Sequence, residues 1–234
     1  MGYIAAIGSS SAYTARFAAD LRTPPLRIPL TADPKLFEQA VEIGRTIIWL
    51  QTFGERFIDV GSGRSHGNPR LPKGTGPTIL AGGAIPSSSA EMPDEMHYDA
   101  ASRQLRIGKG IIDNVTSEMW NYAVGGKPIL RQWFSYRKAD RSRPIMGDRR
   151  PPSQLGDIKP QGWIAEYTTD LLNLLHVLGR LVEMEPLQAK LLEAVFNGPL
   201  ITAVELATAT AAHPTKGKMA GKVAHQAQLS MLPS

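Results

Sequence analysis

Cysteine is absent from the 234-residue chain, which excludes a disulfide scaffold, a thiolate zinc site and a cysteine nucleophile. No run of 18 apolar residues exists, so no membrane-spanning helix is expected. The two most apolar windows, 43–53 and 171–182, each carry an arginine, Arg45 and Arg180. The N-terminus lacks the charged region and long apolar segment of a secretory signal. Ala6 stands where a myristoylation motif beginning at Gly2 needs Ser or Thr. These absences lead us to expect a soluble cytoplasmic protein. Histidine is scarce: His66, His97, His176, His213 and His225 are the five, none at metal-ligand spacing from another. No metal site is therefore expected.

Catalytic signatures are equally thin. The glycine-rich runs match neither the phosphate loop nor the dinucleotide fingerprint. Gly63-Arg-Ser65-His-Gly67 has the spacing of a nucleophile elbow, but Asn68-Pro69-Arg70-Leu71-Pro72 follows where that motif needs a helix. Ser135-Tyr-Arg-Lys138 has Ser-x-x-Lys spacing without the partner motifs of that chemistry. An amino-methyltransferase needs a short Asn/Asp/Ser-Pro-Pro-aromatic segment to hold a flipped base. The nearest strings, Asp33-Pro34-Lys35-Leu36 and Asn68-Pro69-Arg70-Leu71, lack the second proline and the aromatic. No catalytic, cofactor-binding or metal-binding residue is assigned.

Charge is what the sequence does have, and it is local. The net charge is +5. Residues 1–125 are balanced, with 12 basic and 12 acidic side chains, whereas 126–150 carry 8 basic and 2 acidic ones. Residues 151–206 reverse the sign, with 3 basic and 7 acidic, and 207–234 add 3 lysines. A local basic patch suits a chain that meets a polyanion at one surface, or it is a solvated loop.

Pattern predicts the organisation. Small and apolar residues make 3–21 helical, with Ser9, Ser10 and Ser11 dividing it. Asp33 caps a helix over 35–54, with Pro34 at its first position. Residues 61–95, with seven glycines and five prolines, read as loop or short strands. Residues 96–98 and 104–107 read as a β-hairpin, and 111–115 as a further strand. Thr116 or Ser117 caps a short helix, Gly125-Gly126 breaks the chain, and Pro128 opens a helix over 129–138. The stretch 140–162 reads as loop. Leu171, Leu175, Leu178 and Val182 mark a long helix over 163–185, and Pro186 starts another to 196. Residues 201–206 read as a last strand or a short helix. The expected fold is α+β: helices flanking a small, mostly antiparallel sheet, with a long apolar helix near the C-terminus. Residues 1–60 form a helical coupler-like segment, 61–206 an α+β domain, and 207–234 a disordered tail.

The strongest constellation runs from Ser117 to Lys138. A short aromatic helix enters a Gly-Gly hinge and then a helix whose Ile129, Leu130, Trp133 and Phe134 can face the core. Arg131 and Lys138, two turns apart, share a face of that helix, and Arg137 lies beside them. Arg141, Arg143, Arg149 and Arg150 follow in the loop. The tryptophans read as core. The basic groups read as a DNA-facing edge, helix residues reading bases and loop residues neutralising phosphates.

The string Trp120-x-Tyr122-x-x-Gly125-Gly126-x-x-x-Leu130-x-x-Trp133-Phe134-x-x-Arg137-Lys138 resembles the C-terminal specificity domain of type ISP restriction–modification enzymes and related adenine-specific DNA methyltransferases. Residues 12–17, 26–30, 36–55, 98–107 and 166–171 agree with it in order, so the resemblance spans about 3–205. Lys127 stands where an aromatic is frequent in the family. The resemblance implies double-stranded DNA as ligand, with Lys127, Arg131, Arg137, Lys138, Arg141 and Arg143 as contacts. It also implies methyltransferase and nuclease domains or subunits as partners. S-adenosylmethionine is expected on the methyltransferase part, outside this chain. An assembly module that docks on a methyltransferase without binding DNA alone is the other reading.

Overall fold

The computed structural model describes residues 1–24, 26–54, 69–139 and 160–212. The elbow Ser65, the contacts Arg141 and Arg143, and the tail from 213 lie outside them. Serines divide the N-terminal helix as expected, into α1 (Gly2–Gly8) and α2 (Ser11–Arg16). Asp33 then caps α3 (Pro34–Gln51), its side chain accepting from the backbone N–H of Lys35 and Leu36, with Pro34 at the start. α3 crosses α1 very closely. A Cβ placed on Gly44 would sit 1.7 Å from the carbonyl oxygen of Gly2, so only glycine permits the approach.

Four short strands form one antiparallel sheet: β1 (Thr78–Ile79), β2 (Met96–Asp99), β3 (Gln104–Ile107) and β4 (Gly110–Asp113), in the order β1-β4-β3-β2. The hairpin pairs Met96 with Ile107 and Asp99 with Gln104. Alternation places Leu105 and Ile107 of β3 inward and Arg106 outward. α4 (Ser117–Asn121) is capped by Thr116, whose hydroxyl accepts from Met119 N–H at 3.2 Å. A two-stranded hairpin, β5 (Ala123–Val124) and β6 (Lys127–Pro128), leads directly into α5 (Ile129–Ser135).

The rest is α6 (Ala165–Asn197) and α7 (Ala203–Ala212). Three expectations change here. The two helices expected on either side of Pro186 are one, because the buried positions continue past it: Leu181 before, then Gln188, Leu191, Leu192 and Val195. Pro186 forfeits a single backbone hydrogen bond. α6 is also amphipathic rather than apolar throughout, since Glu166, Asp170, Glu183 and Glu193 lie exposed along it. No helix among the described residues is long and apolar enough to cross a membrane. Finally, of the strand or short helix expected over 201–206 the structure has the helix, and it runs on through 203–212 into the first residues of the expected disordered tail.

α6 serves three cores, the middle one joining its Val177 and Leu181 to Ile47 and Leu50 of α3. Its first half packs Leu171, Leu175 and Leu178 against Leu105, Ile107, Ile112, Met119, Leu130, Phe134 and Trp163. Its second half packs Leu191, Leu192 and Val195 against Tyr3, Ile7, Tyr13 and Ala40. Each fully buried leucine or isoleucine contributes about 1.5–3 kcal/mol. Gln188 is buried between α6 and α1, and its amide donates to Ala6 O at 2.8 Å and to Ser9 Oγ at 3.0 Å. The chain closes on itself where Ala32 N–H donates to Pro199 O and Ile201 N–H to Leu30 O, both 2.8 Å.

Candidate nucleic-acid interface

The β5–β6 turn is made by Gly125 and Gly126, with φ of 57° and 77°. Two successive left-handed residues are what a tight two-residue hairpin requires, and glycine takes that shape without a Cβ penalty. The turn sets Val124 opposite Lys127. Both are exposed, Val124 by 56 %. At the base of the hairpin Ile129 N–H donates to Tyr122 O at 3.0 Å, which fixes where α5 begins.

α5 buries Leu130 and Phe134 and leaves Arg131 exposed. The Arg131 guanidinium lies over the Trp120 ring, 4.7 Å from its centroid. Trp120 in turn stacks on Tyr98 of β2 at 5.6 Å and 23°. Tyr98 is anchored by its hydroxyl, which donates to Val115 O at 3.0 Å. Burial raises the Tyr98 pKa, with Arg103 acting the other way, so the phenol keeps its donor proton. Glu118, in the first turn of α4, is held below its usual value first by its own backbone N–H, then by the hydroxyls of Thr116 and Ser117, with a smaller pull from Arg103.

Arg137 has a different setting. α5 ends at Ser135, so Arg137 and Lys138 lie on the turn beyond it, and the expected shared helix face of Arg131 and Lys138 does not form. Both backbone N–H groups of that turn return to Phe134 O at 2.9 Å. The Arg137 guanidinium is folded onto Trp133 at 4.3 Å and Tyr167 at 5.5 Å. Its Nη1 donates to Trp133 O at 3.1 Å, and its Nε is buried without a partner. Behind it, the buried Trp163 meets Trp133, Phe134 and Tyr167 edge-on or tilted, and its indole N–H donates to Thr168 Oγ1 at 2.8 Å. Lys138 is exposed, and so is its neighbour Tyr136, by 72 %.

Of the six expected contacts, Lys127, Arg131 and Lys138 thus lie exposed around one helix, Arg137 is packed half-buried, and Arg141 and Arg143 lie outside the described residues. The tryptophans of this stretch, expected to be core, pack against the core at its edge, while the fully buried tryptophan there is Trp163. Trp120 and Trp133 are half-buried and carry arginines. Linear spacing could not show this, because Trp120 and Arg131 are joined across a hairpin. Ser135 is an ordinary surface residue whose hydroxyl donates to Gln132 O at 2.7 Å. All strands of the four-stranded sheet pair antiparallel. The described residues include no parallel βαβ unit.

The model of the type ISP C-terminal specificity domain matches residues 1–174. The match covers most of the chain, and the chain belongs to this family. Among solved structures it is similar to a nuclease-deletion mutant of the type ISP restriction-modification enzyme LlaGI in complex with a DNA substrate mimic. Identity is 21 %, the TM-score is 0.49, and the match covers 79 % of this chain. The chain accounts for only 15 % of the length of that one. Comparison with curated proteins finds no match.

Proposed function

We propose that this chain chooses the DNA target of an adenine-N6 methyltransferase or restriction–modification system. It binds duplex DNA in the cytoplasm, while methyltransferase and nuclease parts, on a partner or on further polypeptide, bind S-adenosylmethionine and carry out the chemistry. The observation that carries this reading is membership of the specificity-domain family over residues 1–174, a span that contains the cation-bearing hairpin and α5. Lys127 and Lys138 suit phosphate contact, because they are exposed point charges on flexible stems. Arg141 and Arg143 extend that set. Arg137 supports the site by holding Trp133 and Tyr167 together beneath it. Phosphate contacts of this kind position the protein, and base contacts specify.

The test is selection of a randomised duplex pool by the purified chain, sequenced at low and at moderate salt. One enriched motif that survives the higher salt is the expected result. Absence of any retained duplex would overturn the proposal and turn attention to docking on a methyltransferase.

A further inference from the structure

Three arginines of the described residues lie over aromatic rings at similar distances, 4.3–4.7 Å, in different settings. Arg16 lies 4.4 Å over Phe196, yet its Nη1 is taken by Glu193 at 2.8 Å. Arg137 lies over Trp133, yet it is half-buried and its Nη1 is taken by the Trp133 carbonyl. Arg131 lies over Trp120 and is exposed. Among the described residues no carboxylate or carbonyl occupies its donors. Its support is also deeper. Trp120 is stacked on Tyr98, and Tyr98 is hydrogen-bonded to the backbone of Val115, which is fully buried. A guanidinium seated on this ladder has lost part of its rotamer freedom before any ligand arrives, and its planar fork of five N–H donors is free to meet one.

A planar fork of this kind can pair bidentately with a backbone phosphate or with a base edge, and here it sits on the helix that the reading above places against DNA, beside the exposed cations Lys127 and Lys138. It matches the paired O6 and N7 acceptors that guanine alone presents in the major groove. We propose, on the DNA-recognition reading above, that Arg131 is the base-reading residue of this chain, that its base is a guanine of the target site, and that Trp120 is its positioning residue.

The test uses the full chain on the site enriched by wild type, and on the same duplex with each guanine replaced in turn. Wild type should prefer guanine at one position by about tenfold to a hundredfold, the range of one bidentate contact. Arg131→Met keeps an unbranched stem and loses every donor. It should lose the preference at that position alone, while affinity for the duplex substituted there changes much less than affinity for the parent site. Trp120→Leu should lose the same preference, and Trp120→Phe, which keeps a ring under the guanidinium, should retain most of it. If Arg131→Met weakens all duplexes equally and the motif persists, Arg131 is a phosphate contact and the assignment is wrong. If wild type itself enriches no motif, the DNA-recognition reading fails and the assignment falls with it.

Discussion

The imidazole of His176 shows how a single residue couples this fold to pH. Its Nδ1 accepts a hydrogen bond from Leu71 N–H at 3.1 Å, joining the segment after residue 68 to α6. Burial, and then the nearby charge of Arg70, lower its pKa from the ordinary 6.5. The folded state therefore favours the neutral ring. Its contribution to stability is whole above the unfolded value and is lost as pH falls below 6.5 and through the folded value. The urea midpoint should drop between about pH 7.5 and about pH 5. His176→Asn, which keeps an acceptor but no titrating group, should show a smaller drop; an equal drop in both proteins would place the effect elsewhere. A histidine set among leucines is legible in the sequence as a packing residue. Its partner is not, because Leu71 lies 105 positions away and is brought there by α6. The same holds for Arg137: the basic run is plain in the sequence, but which arginine folds back on Trp133 depends on α5 ending at Ser135.

At the scale of elements, the α1–α3 crossing is the most constrained contact. Alanine is favoured over glycine in a helix interior by about 1 kcal/mol, so Gly44→Ala would stabilise an isolated α3. Here the new Cβ would meet backbone of Gly2, which cannot rotate away as a side chain could. Overpacking typically costs about 1–3 kcal/mol, and a contact this short against main chain belongs at the upper end. Gly44→Ala should lower the urea midpoint, and a variant more stable than wild type would show that α1 yields freely. Caps and hairpins were legible where local chemistry decides them. Asp33 before Pro34, Thr116 before α4, and the turn between β2 and β3 all stand where their residues direct. The course of α6 through Pro186 was not legible. A proline signals a boundary locally, and only the run of contacts with α1 and α2 beyond it keeps the helix intact.

For the whole molecule, the uneven charge is the property with a measurable consequence. Affinity for duplex falls with salt by about 0.9 in log–log slope for each phosphate contacted. If Lys127, Lys138, Arg141 and Arg143 meet phosphates while Arg131 reads a base and Arg137 stays folded on its tryptophan, the slope should be about −3.6. Six phosphate contacts would give about −5, and a slope near zero would remove the electrostatic footprint altogether. The sequence by itself determined the class of fold, the hairpin, the helix caps and the stretch where positive charge gathers. These follow from residues close together in the chain, through backbone preferences, side-chain period and net charge. Only the tertiary structure decided which cations face outward and which aromatic supports each one. Those relations join β2, α4, the β5–β6 hairpin and α5, and exist only once the core beneath them has packed.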